Sequence, residues 1–205
     1  MTIIDRKARE KQEMRRSILD SAMKLFLEEG FENVSIRKIA DKIEYSPATI
    51  YLYFRDKDEI LYALHVEGFE ELFRRQQAVR NIPDPRQRLR RHGEIYVKFA
   101  LDNPEYYNLM FIMRSPLKKV PEAGEWQVGT RSYDFFKSEV EAAMNAGVLR
   151  KMDPQEATFG LWSFAHGIVA LILRNRCPML DHQNLTAAAL KVFNTIMENV
   201  EIQKA

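Results

Sequence analysis

The chain has 205 residues, 46% hydrophobic and 29% charged, which is typical of a soluble globular protein of one or two domains. No uninterrupted apolar run is long enough to cross a bilayer, the start lacks a signal-peptide segment, and the single Cys177 excludes an intramolecular disulfide, so we expect a cytoplasmic protein with no membrane partner. The net charge of +2 is too small to indicate nucleic-acid binding by itself, so the local placement of basic residues matters more.

A first long helix is predicted from about Arg6 to Glu29, where apolar residues share one face and Gly30 follows as a stop. Basic residues crowd its beginning, and two interpretations stay open: a face that lies along a phosphate backbone, or a frayed and solvated terminus. These residues are Arg6, Lys7, Arg9, Lys11, Arg15 and Arg16.

The stretch from Ser35 to Lys57 predicts two short helices in close succession. Ser35 is a suitable N-cap for the first helix, and Ser46-Pro47 opens the second with a capping oxygen and a proline at the first helical position. Two short helices this close cross at a steep angle, which is the helix-turn-helix arrangement whose second helix enters the DNA major groove. The buried face of the first helix consists of Ile36, Ile39, Ala40 and Ile43.

These residues resemble the DNA-binding signature of the TetR family of bacterial transcriptional regulators. The resemblance rests on Ile39-Ala40, Ser46, the run from Thr49 to Phe54, and Lys57, and it covers roughly the first quarter of the chain. One position departs from the pattern, because Glu44 stands where the family usually has glycine. A non-glycine residue in a left-handed turn costs about 1 kcal/mol, so we expect a reshaped turn there.

The resemblance implies a homodimer that binds a palindromic operator in double-stranded DNA. Arg37 and Thr49 are expected to reach base edges, and Ser35, Tyr51, Tyr53 and Lys57 are of types that usually hold phosphates. The full set of implied DNA contacts is Ser35, Arg37, Ser46, Pro47, Ala48, Thr49, Tyr51, Tyr53 and Lys57.

The rest of the chain shows helical periodicity between proline and glycine breaks, and no run alternates with the period of a strand. The predicted fold is therefore all-α, with a three-helix N-terminal helix-turn-helix domain over residues 1–55 and a larger helical ligand-binding and dimerisation domain over residues 56–205. Predicted helices span about 56–80, 87–101, 105–113, 122–146, 154–175 and 182–200.

The last two predicted helices carry a wide apolar surface that includes small residues, which permit close helix approach. We expect them to form a two-fold, four-helix dimer interface, as the family resemblance also implies. The alternative is a core within one chain.

The middle of the chain is rich in aromatic residues and methionine, which suit a pocket for an apolar ligand, although such residues at helical spacing also build an ordinary core. The run from Trp162 to Gly167 is similar to a Trp-His-Gly element of one TetR subgroup. His166 has two interpretations, a contact to a ligand or partner subunit and a core histidine bonded to a backbone carbonyl. The predicted ligand-binding residues are Tyr96, Phe99, Tyr107, Met110, Met113, Trp126, Phe135, Trp162 and His166.

The histidines are scattered, and no metal-ligand spacing, phosphate-binding glycine loop or nucleophile motif is present. We therefore expect no enzyme activity, no catalytic residue, no metal and no cofactor. Cys177 lies beside Arg176, which would favour a redox-sensitive thiol, but an inert thiol is the favoured interpretation. The function that these observations favour is a repressor released by a small apolar or aromatic effector. The alternative is an effector-independent DNA-binding protein that acts architecturally or through protein partners.

Overall fold

A computed structural model of the chain describes residues 3–114, 126–179 and 184–202, and every regular element in those ranges is helical. The all-α prediction, with a helix-turn-helix ahead of a larger helical part, is confirmed. The predicted helix starts near residues 122 and 182 lie outside the described residues.

The chain forms two compact units. Unit 1 comprises Met1–Gly68 and Glu105–Glu125, and unit 2 comprises Phe69–Pro104 and Trp126–Ala205. Unit 1 thus extends beyond residue 55 and includes a segment that follows unit 2's first helix in sequence. The functional division at residue 55 stays a prediction.

Unit 1 begins with α1 (Ile3–Glu29), followed by a 3-10 turn, Phe31–Asn33. Gly30 ends α1 with a φ of +82°, a left-handed conformation that glycine adopts without steric cost. Two short helices then form the helix-turn-helix, α2 (Ile36–Lys42) and α3 (Pro47–Tyr51), and α4 (Lys57–Gln76) begins soon afterwards.

The turn between α2 and α3 keeps its left-handed residue even though that residue is not glycine. Glu44 has a φ of +61°, and the Tyr45 amide donates to the Ala40 carbonyl at 3.0 Å. The expectation of a reshaped turn was therefore wrong. The hydrogen bonds that end α2 hold the conformation against a steric cost of about 1 kcal/mol.

The core of unit 1 is formed by the inward faces of α1 to α4, as the apolar spacing predicts. Two ion pairs join the end of α1 to α2, Glu29 with Lys38 and Glu28 with Lys42. The buried residues include Ile18, Ala22, Ile39, Ala40, Ile50, Phe54, Ile60, Leu61 and Leu64, together with the distant Leu109.

Leu109 enters this core from a helical segment that returns to unit 1. The segment consists of α6 (Pro104–Tyr107) and a π-helix (Asn108–Ile112), where the sequence predicted one helix over 105–113. The buried His65 on α4 pairs through Nδ1 with the Leu109 carbonyl at 3.0 Å. A Cβ on Gly68 would lie 2.7 Å from Met110 Sδ, so glycine at this position permits the close approach.

Unit 2 is a bundle in which α5 (Pro85–Asp102) packs against α7 (Gln127–Asn145), α8 (Pro154–Leu173) and α9 (Leu185–Val200). The end of α4 also belongs to this unit and is followed by a 3-10 turn, Gln77–Asn81, where the sequence predicted a helix to Arg80. Side-chain caps open three of these helices: Asp84, Asp153 and Asn184 each accept from a backbone amide of the first turn.

Ion pairs fasten α5 to its neighbours. Arg86 and Arg90 both bond to Glu201, at 2.5 and 2.6 Å, and the side chain of Glu201 is fully buried. Arg88 bonds to Glu139 of α7 at 2.5 Å. These contacts join α5 to α7 and to the residue that follows α9.

Candidate nucleic-acid interface and effector site

The α2 and α3 helices present an exposed polar surface. Ser35 caps α2 by accepting from the Lys38 amide, and Ser46 caps α3 by accepting from the Thr49 amide, each at 3.3 Å. Pro47 occupies the first position of α3, where the N–H that proline lacks would have no partner within the helix. Six of the predicted DNA contacts are exposed here: Ser35, Arg37, Ser46, Pro47, Ala48 and Tyr51.

The other three predicted contacts are half-buried. The Thr49 and Ser46 hydroxyls lie 3.1 Å apart, and Tyr53 packs against the core of unit 1. Lys57 donates from Nζ to the carbonyls of Phe31 and Val34, at 2.8 and 2.9 Å. Lys57 therefore fastens the loop before α2, a role that the sequence did not predict, and its contact with phosphate stays a prediction.

Two exposed apolar residues of the helix-turn-helix were not predicted as site residues. Leu52, directly after α3, is 78% exposed, and Tyr45, in the turn before it, is 48% exposed. Both flank predicted contacts in sequence, so the run of signature residues could have indicated them.

The basic start of α1 is largely offset by its own acidic residues. Arg6 pairs with Glu10 at 3.2 Å and Arg9 with Glu13 at 3.4 Å, both one turn apart. Arg16 pairs with Asp20 and with Glu67 of α4. Exposed pairs of this kind contribute at most about 1 kcal/mol each, but they reduce the positive charge that α1 presents to phosphates.

The predicted ligand-binding residues divide between the two units. Tyr107, Met110 and Met113 belong to unit 1, where Met113 packs against the core. The other six belong to unit 2: Tyr96, Phe99, Trp126, Phe135, Trp162 and His166.

Three of those six meet directly in unit 2. Tyr96 Oη lies 2.9 Å from His166 Nδ1, so this ring nitrogen is paired with a side chain. Both interpretations of His166 stay predictions. Trp162 lies 5.7 Å from His166 between ring centroids. The remaining three are placed elsewhere in the unit: Phe99 is buried, Trp126 contacts Phe69, and Phe135 contacts Phe73.

A set of six side chains on three helices, which we call the aromatic ring, contains these three residues. Tyr133 of α7 lies 6.4 Å from Trp162, and Phe136, one turn further along α7, lies 4.8 Å from His92. His92 is one turn before Tyr96 on α5, which is the spacing of neighbours on one helix face. Its members are His92 and Tyr96 on α5, Tyr133 and Phe136 on α7, and Trp162 and His166 on α8.

Two members of the aromatic ring carry buried polar atoms with no hydrogen-bond partner among the described residues: His92 through both ring nitrogens, and Tyr133 through Oη. Burial without a partner lowers the pKa of His92 to about 3. Burial also lowers the pKa of His166, and burial, with Asp134 and Asp153 nearby, raises that of Tyr133. At neutral pH the aromatic ring is therefore uncharged.

His92, Tyr133 and Phe136 were absent from the predicted ligand site. The i, i+4 spacing of His92 and Tyr96 on a predicted helix was a usable signal. The contact of Phe136 with His92 joins residues far apart in sequence, which spacing alone does not reveal.

Two family models match the chain. "Bacterial regulatory proteins, tetR family" matches residues 18–64, and "Tetracyclin repressor-like, C-terminal domain" matches residues 89–193, which is about half of the chain. The chain belongs to the TetR family of bacterial regulators. The resemblance read from the helix-turn-helix residues is thereby confirmed.

The curated relatives support this family membership over part of their length. The HTH-type transcriptional repressor Rv1474c of Mycobacterium tuberculosis is 38% identical over 58 residues, 28% of this chain and 31% of the relative. The HTH-type transcriptional activator FasR of Mycolicibacterium smegmatis is 31% identical over 104 residues, 49% of this chain and 47% of the relative. The chain thus spans between about a third and about half of these TetR-family relatives.

Solved structures share the TetR-family fold over nearly the whole chain. A regulator from Saccharomonospora viridis in complex with choline has a TM-score of 0.75 at 22% identity, covering 94% of this chain and 100% of that one. The fatty acid degradation regulator FadR from Bacillus halodurans has a TM-score of 0.72 at 18% identity, covering 89% and 93%.

The named relatives are transcriptional regulators, which are not enzymes. Within the described ranges, no group of three or more His, Cys, Asp or Glu side chains is placed to hold a metal ion. One described helix, α8, is long and apolar enough to span a membrane by length and composition alone. The apolar core helix of a soluble protein meets the same criterion.

Proposed function

We propose that this TetR-family regulator is a cytoplasmic repressor that binds a palindromic operator as a homodimer and is released by a small apolar or aromatic effector. The observation that carries the DNA-binding part is the exposed surface of α2 and α3. Arg37 is exposed and has no ion-pair partner among the described residues, so its guanidinium is available for a guanine edge or a phosphate. Ser46, Pro47, Ala48 and Tyr51 extend this surface along α3.

The homodimer is supported by apolar faces that one chain leaves uncovered. In the most apolar window of α8 only 28% of the residues are buried, and Phe159 and Leu171 of that helix are more than half exposed. On α9, Val192 and Ile196 are 39% and 40% exposed. A Cβ at Gly160 or Gly167 would meet no atom within 4 Å, so the backbone of α8 is open to the close approach of a partner helix.

Dimer formation through α8 and α9 is tested with Val192→Glu. An unpaired carboxylate buried in the interface should weaken the dimer by about a hundredfold or more, and sedimentation over a concentration series measures this. Ala187→Glu is the matched control, because Ala187 is exposed on the same helix but lies about 140° round its axis. An unchanged dimer in Val192→Glu would place the interface elsewhere.

The effector part is supported by the aromatic ring in unit 2 and by α4, which begins in unit 1 and continues into unit 2. An effector that binds better to one conformation of the dimer shifts the population toward it, and a shift away from the DNA-competent spacing lowers operator affinity.

Selection from random duplexes followed by binding measurements tests the proposal as a whole. We expect a consensus of two inverted half-sites about one helical turn apart, and Arg37→Ala should change the preferred base at one position in each half. A consensus without inverted symmetry would contradict the dimeric repressor. Unchanged operator affinity with a bound effector would favour the effector-independent alternative.

A further inference from the structure

The aromatic ring contains two kinds of contact. Tyr, Phe and Trp side chains supply four of its members and offer apolar area. The other two, His92 and His166, are imidazoles whose ring nitrogens can form hydrogen bonds. Tyr133, Trp162, Phe136 and His166 are half-buried, whereas His92 is 2% exposed.

The unpartnered atoms determine which ligand group would be stabilised there. A neutral imidazole has one N–H donor and one bare nitrogen acceptor, and a phenol hydroxyl both donates and accepts. Leaving such atoms buried and unpartnered costs about 1–3 kcal/mol each. Native proteins retain few of them, and here His92 and Tyr133 both belong to the aromatic ring.

The carboxylates near Tyr133 disfavour an anionic ligand at that end of the aromatic ring. Arg88 on α5 and Glu139 on α7 already form an ion pair with each other, at 2.5 Å. The carboxylates of Asp134 and Asp153 act on Tyr133 and would repel an anion. A quaternary ammonium ion has neither a hydrogen-bond donor nor an acceptor and would leave His92 and Tyr133 unpartnered.

We propose that the effector is an uncharged, mainly aromatic or alicyclic compound with a hydroxyl group, bound within the aromatic ring with its hydroxyl bonded to His92 or Tyr133. A hydroxyl can donate to the bare imidazole nitrogen and accept from the imidazole N–H or the Tyr133 hydroxyl. The apolar body of the ligand covers Phe136 and Trp162. This inference rests on the proposed effector function of unit 2 and names the chemical class that the site selects.

The test compares four probes of one size on the full-length chain: naphthalene, 2-naphthol, 2-naphthoate and N,N,N-trimethyl-2-naphthylammonium. Calorimetry should show 2-naphthol binding about tenfold tighter than naphthalene, the worth of one hydrogen bond to an otherwise unpartnered group, and both ions binding more weakly. Nitrogen-15 NMR of the imidazoles should show a shift of the His92 resonance on adding 2-naphthol, assigned by its loss in His92→Phe.

Two variants separate recognition of the hydroxyl from a structural role. Tyr133→Phe and His92→Phe should each lower 2-naphthol affinity by up to about tenfold while leaving naphthalene affinity unchanged. Tyr62→Phe, in unit 1, is the matched control and should change neither. Equal affinity for naphthalene and 2-naphthol, tighter binding of either ion, no binding by any of the four probes, or an unmoved His92 resonance would each overturn the proposal.

The outcome for DNA is read separately. If 2-naphthol binds through the hydroxyl but operator affinity is unchanged, the ligand class stands and release by an effector fails. If operator affinity falls equally with naphthalene and 2-naphthol, release stands and the hydroxyl requirement fails.

Discussion

Two buried histidines show that the two units differ in how they satisfy buried polar atoms. His65 in unit 1 is fully buried, and its Nδ1 pairs with the Leu109 carbonyl of the same unit. His92 in unit 2 is equally inaccessible, yet neither ring nitrogen has a partner among the described residues. Both lie on long helices, so the difference comes from what packs opposite each ring.

The same contrast extends beyond the histidines. The buried side-chain atoms without a hydrogen-bond partner in the described ranges belong to His92, Tyr133 and Asn194, and all three residues are in unit 2. In the described part of unit 1, no buried side-chain polar atom lacks a hydrogen-bond partner, which suits a unit that must present one fixed surface to DNA. Unit 2 keeps polar atoms unpaired inside an aromatic frame, and such atoms are usually retained for function at a cost in stability.

The largest expected effect tests the buried ion pairs that hold α5 in unit 2. Glu201→Gln removes the charge that accepts from both Arg86 and Arg90, and it should lower the free energy of unfolding by about 3–5 kcal/mol. Urea unfolding at fixed protein concentration measures it. Glu198→Gln is the matched control, since Glu198 pairs with the same Arg90 but is 58% exposed, and it should cost less than about 1 kcal/mol. Equal losses in both variants would contradict the role of the buried pair.

The next effect concerns acid. The unfolded chain protonates a histidine near pKa 6.5, whereas His92 in the folded chain stays neutral down to a pKa of about 3, so stability falls as pH drops below 6.5. By pH 5 this loss should reach about 2 kcal/mol, and His92→Phe should remove it. Urea unfolding at pH 7.5 and pH 5 measures the difference.

His65 provides the comparison for that experiment. His65→Phe leaves the Leu109 carbonyl without this partner and should already lower stability at pH 7.5, by about 1–3 kcal/mol. His92→Phe removes no hydrogen bond and should not lower stability at that pH. If the two variants behave alike at pH 7.5, the contrast between the two units fails.

A smaller effect separates stability from DNA contact within unit 1. Lys57→Met removes two hydrogen bonds to the Phe31 and Val34 carbonyls and should lower stability by about 1–2 kcal/mol. Arg37→Ala should leave stability unchanged and weaken DNA binding. If Lys57→Met also reduces the salt dependence of DNA binding by about one phosphate contact, Lys57 holds phosphate as well as the loop.

The smallest effect concerns the turn of the helix-turn-helix. Glu44→Gly should raise the free energy of unfolding by up to about 1 kcal/mol, because it relieves the left-handed φ of +61°. Thermal unfolding measures the gain, and Glu44→Ala, which relieves nothing, is the control. A gain in both variants would attribute the effect to the lost charge.

The sequence predicted the parts of the fold that local interactions determine. Ser35, Ser46 and Gly30 act within a few residues of themselves, and the apolar spacing of α2 and α4 marks a single helix face, so the helix-turn-helix and its caps were predictable. The left-handed Glu44 was anticipated as a strained position, but its outcome depended on hydrogen bonds to α2 that spacing does not specify.

The unpredicted parts depend on partners that are distant in sequence. Lys57 reaches carbonyls 23 and 26 residues away, and His65 pairs with a residue 44 positions further along the chain. The members of the aromatic ring come from three helices, and the sequence does not show which of them meet. The contact of His92 with Phe136 appears only when α5 packs against α7. Periodicity indicates which face of a helix is buried but not which residue lies opposite.

The return of the α6 and π-helix segment to unit 1 has a practical consequence for exchanging DNA-binding units between regulators. A hybrid that joins residues 1–68 to a foreign effector domain would carry His65 and Gly68 without Leu109 and Met110, and would leave core leucines such as Leu64 open to water. The transplantable piece is discontinuous, and it must bring residues 105–114 together with the first 68. Hybrids cut at the end of the helix-turn-helix would keep the recognition helix and lose part of the core that supports it.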